Sequence, residues 1–191
     1  MKLHDRAEIT TGFTFRSGLK PEPEGNVRVI QTKDLIDDQL NASDSLTKIN
    51  GFDFKSNHTV KQGDILFRAR GHSHTAALIP HDTPNTIVAA PLLHVRVKSE
   101  KVVPEYLLWW INQHTSQQYF SRLSEGTNVK KVNTAGLKEL EVLLPPIQEQ
   151  KKIAALMKLD KKEQQILTKL ADLKANFMER ILMRVASESR H

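Results

Sequence analysis

From Leu144-Pro145-Pro146 onward the chain changes character: after Pro146 there is neither a glycine nor a proline, and Ala, Leu, Lys, Glu and Gln dominate. Such a composition admits little besides a long helix. Pro146 suits its first turn, where the missing N–H leaves no partner unsatisfied. Leu156, Leu159, Glu163, Ile166, Leu170, Leu173 and Phe177 then follow at alternating steps of three and four, a heptad seam with one polar interruption at Glu163. Ile153, Leu167 and Ile181 widen the stripe. A helix over 146–186 would be roughly 60 Å long, too long for a small domain to cover, so the seam predicts helix–helix pairing.

The first 144 residues predict a mixed α and β domain, making the chain α+β: a compact domain over 1–144 and a long C-terminal helix over 145–191. Strands are expected at Val27–Gln31, Asp64–Ala69, Thr75–Ile79, Thr86–Ala90, Leu92–Val97 and Leu140–Leu144, with turns at Gln62-Gly63-Asp64 and Arg70-Gly71-His72-Ser73. One helix is expected between Pro104 and Gly126 with the stripe Leu107, Leu108, Ile111, Tyr119 and Phe120, and Asn133-Thr134 should cap a short helix over Ala135–Lys138. There is no internal repeat.

Composition narrows the function classes. With no cysteine in 191 residues, disulfides and thiolate metal sites are excluded, which fits a reducing compartment. No apolar run approaches the ~20 residues that span a bilayer. The start, Met1-Lys2-Leu3-His4-Asp5-Arg6, lacks the apolar stretch of a signal peptide. The expectation is a cytoplasmic protein with no membrane partner. Net charge is +6, with 18 Lys+Arg against 16 Asp+Glu in the first 144 residues and 10 against 6 afterwards. A mild excess of this kind is compatible with a polyanionic partner without requiring one.

Four segments carry a family resemblance. Leu143-Leu144-Pro145-Pro146-Ile147-Gln148-Glu149-Gln150-Lys151-Lys152-Ile153 opens the long helix, which closes on Leu173-Lys174, Phe177-Met178 and Ile181-Leu182. Upstream stand Ala7-Glu8-Ile9-Thr10-Thr11-Gly12-Phe13-Thr14, Lys61-Gln62-Gly63-Asp64-Ile65-Leu66-Phe67-Arg68 and Pro104-Glu105-Tyr106-Leu107. In their order along the chain they resemble the specificity (S) subunits of Type I restriction-modification systems, in a half-length form with one target-recognition domain. The resemblance implies a non-catalytic, cofactor-free DNA-recognition subunit. Its expected partners are double-stranded DNA, a modification (methyltransferase) subunit, a restriction subunit and a second copy of itself. Two copies would pair their helices as an antiparallel coiled coil through Leu156, Leu159, Ile166, Leu170, Leu173 and Phe177. Such a homodimer would read two inverted half-sites across a fixed gap.

DNA reading needs cations and amides for phosphates, and paired donors or acceptors for base edges. Two segments are rich in both. Arg68, Arg70, His72, Ser73 and His74 surround Gly71 after a strand, where the alternative is a solvated hairpin tip. Thr127, Asn128, Lys130, Lys131 and Asn133 follow Gly126, where Asn133 also suits plain helix capping. Arg16, Lys33 and Lys55 are further phosphate candidates, and Arg96 and Lys98 read as a solvent-facing strand edge. Trp109-Trp110 offers a stacking surface, although one of the two is expected in the core.

Catalytic readings find little support. His72-x-His74 has no carboxylate at ligand spacing, and five histidines between His58 and His94 do not form a ligand pattern. No Gly-x-x-x-x-Gly-Lys-Ser/Thr loop, Gly-x-Gly-x-x-Gly turn or Gly-x-Ser-x-Gly elbow is present. The competing readings are a dimeric scaffold or inhibitor that binds the modification subunit without reading DNA, and a stand-alone hydrolase using the histidines.

Overall fold

The computed structural model describes all residues except 37–38, 41–44, 52–53, 56–57, 72, 124–130 and 189–191. Two compact units emerge, Met1–Lys151 and Lys152–His191. Among the described residues, no helix is long and apolar enough to cross a membrane.

Among the described residues, the first unit contains nine strands: β1 (Ala7–Thr11), β2 (Val27–Ile30), β3 (Leu35–Ile36), β4 (Gln39–Leu40), β5 (Thr47–Ile49), β6 (Ile65–Arg68), β7 (Ala76–Leu78), β8 (Thr86–Val88) and β9 (Leu92–Val97). They form an antiparallel sheet in the order β1-β9-β6-β7, a second sheet β5-β2-β8 in which β2 and β8 run parallel, and a small β3-β4 hairpin. The apolar runs explain the arrangement. Ile65, Leu66 and Phe67 on β6, and Leu92, Leu93 and Val95 on β9, are buried on both faces, so the two strands belong at the sheet centre. Among the described residues, two side-chain clusters pack much of the sheet interior. One joins Ile30, Leu66, Ile79, Val88 and Leu92; the other joins Val27, Val29, Ile49 and Ile87 with the half-buried rings Phe13, Phe15 and Phe54.

Gly12 is where the two sheets meet. A Cβ there would lie 2.6 Å from the carbonyl carbon of Ala89, so only glycine lets the chain leaving β1 approach β8. Phe13 then donates its N–H to Val88 and accepts from Ala90.

Helix α1 (Pro104–Asn112) packs on β7, and its Asn112 amide closes the open sheet edge: Oδ1 accepts from Ala76 N at 2.8 Å and Nδ2 donates to Ala76 O at 3.0 Å. The single helix expected over 104–126 is in fact two. Gln113 is extended (ψ 150°), and α2 (His114–Leu123) starts afresh. The break is stabilised by side chains: Ser116 Oγ donates to Trp110 O, which also accepts from Gln113 N at 3.2 Å, and Gln117 Nε2 donates to Ile111 O. The expected stripe holds across the break, with Leu107, Ile111 and Phe120 fully buried. Both Trp109 and Trp110 are half-buried, and it is Tyr106 that fills the core.

The short α3 (Thr134–Lys138) has Asn133 as its cap, Oδ1 accepting from Gly136 N at 2.8 Å. The strand expected at Leu140–Leu144 is an extended segment with one bridge, Lys2 to Glu141. Its neighbour, the N-terminus, curls into a 3-10 turn at Leu3–Asp5, so the ladder has no room to grow.

Helix α4 (Ile147–Glu188) starts one residue after Pro146. Its first turn belongs to the first unit, where Gln150 is buried. Gln150 Oε1 accepts from Val103 N at 3.0 Å, and Nε2 donates to Lys101 O at 2.9 Å and Pro145 O at 2.8 Å. The described residues of the second unit are the rest of this helix. Its seam residues Leu156, Leu159, Ile166, Leu170, Leu173 and Phe177 are 57–64% exposed, an uncovered apolar stripe.

Candidate nucleic-acid interface

The described ends of the two cation-rich segments meet in the fold. The loop between β6 and β7 runs from Ala69 to Thr75. Ala69 O accepts from Val132 N at 2.9 Å, and Arg70 pairs with Lys131 in an antiparallel bridge. Directly opposed residues of such a pair project to one side with Cβ atoms about 5 Å apart. Both side chains are exposed, and neither makes an ion pair with a described residue. Two like charges opposed in this way repel, which a bound anion would relieve. Gly71, at φ +121°, turns the chain immediately after Arg70, and Ser73 is exposed on the far side.

The flanking members of this loop face inward. Arg68 ends β6, and its Nη2 donates to the carbonyls of Leu35 and Thr32, tying the β3 hairpin to the central sheet. His74 is 4% exposed, with its ring stacked on Phe67 (6.1 Å, 13°) and edge-on to Phe120. Its Nδ1 lies 3.1 Å from Arg68 O. Arg68 and His74 therefore hold the loop, while Arg70 and Ser73 are presented by it. Strand alternation alone would put Arg68 and Arg70 on one face; they differ because Arg68 is the last rung of β6, paired with Leu92, whereas Arg70 lies past the end of the strand.

Lys131 is exposed; Asn133 is exposed too, with its Oδ1 committed to the α3 cap. His72, Thr127, Asn128 and Lys130 lie outside the described residues. From Thr134 the surface continues to β1, Thr134 Oγ1 lying 3.4 Å from Thr11 Oγ1. Beyond it is an open concavity of about 680 Å³ lined by Thr11–Ser17 and His58, with exposed Arg16 and the rings of Phe13 and Phe15. Burial, aided by Lys55, holds the His58 imidazole below its ordinary pKa and so favours its neutral form. Lys33 donates to Thr47 Oγ1 at 3.2 Å, and Lys55 is exposed.

Arg96 is not a solvent-facing edge residue. The β6–β9 register continues to place Asp64 opposite it, and the carboxylate accepts Nε at 2.9 Å and Nη2 at 2.7 Å. His94 Nε2 lies 2.8 Å from the same carboxylate. Although burial opposes ionisation, the hydrogen bonds from His94 and Arg96 outweigh it, and Asp64 is lowered to about 2. This cluster escaped the sequence reading. The available signal was a His-x-Arg pair on one strand face with an acid opening the neighbouring strand. Lys98 pairs with Glu8 at 2.6 Å. Among the described residues, no group of three or more His, Asp or Glu side chains is placed to hold a metal ion.

Residues 1–174 match the family described as Type I restriction modification DNA specificity domain. A Methanocaldococcus jannaschii protein described as a type I restriction enzyme MjaX specificity subunit is 29% identical over 99 residues, covering 50% of this chain and 23% of that protein. Among solved structures, a chain from a study of complex assembly and conformational transition of the type I R-M system aligns with TM-score 0.61 at 19% identity, covering 87% of this chain and 38% of that one. The HsdS subunit from Thermoanaerobacter tengcongensis gives TM-score 0.59 at 19% identity (87% and 37%). The Type-I restriction-modification S subunit from M. genitalium gives 0.59 at 15% identity (91% and 41%). At these identities the structural likeness shows the fold, and the chain spans less than half the length of each relative. The family match over 1–174 extends from the mixed-sheet unit well into α4, and on that match the chain belongs to the Type I restriction modification DNA specificity domain family.

Proposed function

We propose that this chain is the sequence-reading part of a Type I restriction-modification (methyltransferase) complex. The observation that carries the reading is the Arg70–Lys131 bridge, which sets an exposed arginine of one cation-rich segment beside an exposed lysine of the other on a family fold. Arg70 has the planar fork that pairs with guanine O6 and N7, Ser73 can reach base or phosphate, and Lys131 and Arg16 suit phosphates. His72, Thr127, Asn128, Lys130 and Asn133 adjoin these positions in sequence and complete the reading set. Arg68 and His74 act by shaping the loop. The chain performs no chemistry: a bound modification subunit flips and methylates the base, and any cleavage belongs to a restriction subunit.

The exposed α4 seam supports pairing with a second copy. An isologous antiparallel pair would present two identical readers, hence an inverted site with a fixed gap.

Expression with the modification subunit in a methylation-free host, followed by sequencing of modified bases, tests the reading. Modification at an inverted, gapped motif that vanishes without this chain is the expected result. An asymmetric motif would overturn the homodimer. No modification, with the two subunits bound, would favour a scaffold or inhibitor.

A further inference from the structure

The second unit carries a charge pattern that pairing of the seam does not use. At about 100° per residue, Lys158, Lys162 and Lys169 fall within an arc of about 40°, centred about 90° from the apolar seam. All three are exposed. With Leu156 and Leu170 at heptad a and Leu159 and Leu173 at d, Lys162 and Lys169 occupy g and Lys158 the adjoining c.

Solvated helix faces usually lace a lysine with an acid three or four residues away. Here they do not. Lys158 and Lys162 have no acid at either spacing and stand four apart, where like charges repel; Lys169 has only Asp172. None of the three makes an ion pair with a described residue.

Symmetry decides where such a row goes. The two-fold axis of an antiparallel pair runs perpendicular to the helices, so both copies turn the same flank to the same face of the pair. A parallel pair would send the rows to opposite faces. In the antiparallel pair g opposes g, so Lys162 and Lys169 add repulsion across the seam and gain no partner there. The face becomes a cationic strip whose natural complement is a line of closely spaced negative charge, and duplex DNA carries one about every 1.7 Å of its axis.

We infer that the Lys158–Lys162–Lys169 flank of α4 binds the phosphate backbone of duplex DNA between the half-sites, without regard to base sequence. The inference rests on the reading of the chain as a DNA-binding pair and adds a second contact surface remote from the Arg70 loop in sequence.

The test uses the full chain, a 40-bp mixed-sequence duplex, and a KCl titration of affinity for wild type and for Lys158→Gln/Lys162→Gln/Lys169→Gln. Loss of about three phosphate contacts per protomer should reduce the slope of log K against log salt by about three per protomer bound. Affinity at fixed low salt should fall at least tenfold, equally on an unrelated sequence. Sedimentation without DNA should show the variant dimerising at least as tightly as wild type. An unchanged salt slope, with wild type binding normally, overturns the inference and leaves the functional reading standing. A reduced slope accompanied by loss of the dimer overturns it too, because the lysines would then act through pairing. Wild type that binds no duplex at all overturns the functional reading as well.

Discussion

Asp64 and Arg96 face one another across the β6–β9 ladder, the carboxylate accepting two guanidinium bonds at 2.9 and 2.7 Å. The same carboxylate accepts from Lys61 N at 2.8 Å, and Arg96 Nη2 also donates to Thr59 O at 2.8 Å. One buried acid therefore joins the centre of the sheet to the 59–64 turn. Asp64→Asn removes the charge and leaves Arg96 partly buried without its counter-ion. It should destabilise the first unit by about 3 kcal/mol, read as a lower urea midpoint with unchanged m. A loss below half a kcal/mol would show the cluster to be dispensable.

The same group gives a pH dependence. Asp64 is lowered to about 2 in the folded state from an ordinary 3.8. Between those values the unfolded chain binds the extra proton, so stability falls as pH falls. The contribution is fully present above pH ~4 and is lost on descending towards pH 2. Urea midpoints measured from pH 5 to 2.5 should decline, and Asp64→Asn should flatten that limb. Parallel curves for the two proteins would assign the acid sensitivity to other carboxylates.

Arg70 and Lys131 share a bridge but should fail differently. Arg70→Ala is expected to weaken binding to the cognate site by about 1–3 kcal/mol and to relax base preference at one position. Lys131→Ala should weaken all duplexes alike and lower the salt slope by about one. Competition binding with cognate and random duplexes separates the two. Equal, sequence-blind losses would make both residues phosphate contacts.

Leu170 lies mid-seam and is 60% exposed in the single chain. Leu170→Asp therefore costs the isolated chain little, yet in a pair it would bury an unpaired charge. If two copies pair through this seam, light scattering should show a dimer for wild type and a monomer for the variant, with helicity largely retained. A variant that remains dimeric would place the pairing surface elsewhere.

Gln150 marks how far local sequence carries. Its Glu-Gln-Lys-Lys setting announces the start of α4, but its burial against Val103, 47 residues earlier, is invisible without the fold. The break at Gln113 was hidden for a related reason: the apolar stripe continues across it, and the Ser116 and Gln117 bonds that stabilise it are side-chain choices.

By itself the sequence determined α4 and its seam, the central strands β6 and β9, and the Asn133 cap, because each is a periodicity or pairing confined to a few neighbouring residues. Only the tertiary structure decided that Arg68 turns inward to Leu35 O while Arg70 stands beside Lys131, and that Arg96 is claimed by Asp64 rather than by solvent. Those outcomes depend on sheet register between segments far apart in the chain. A shift of one residue there would exchange the faces and with them every such partner.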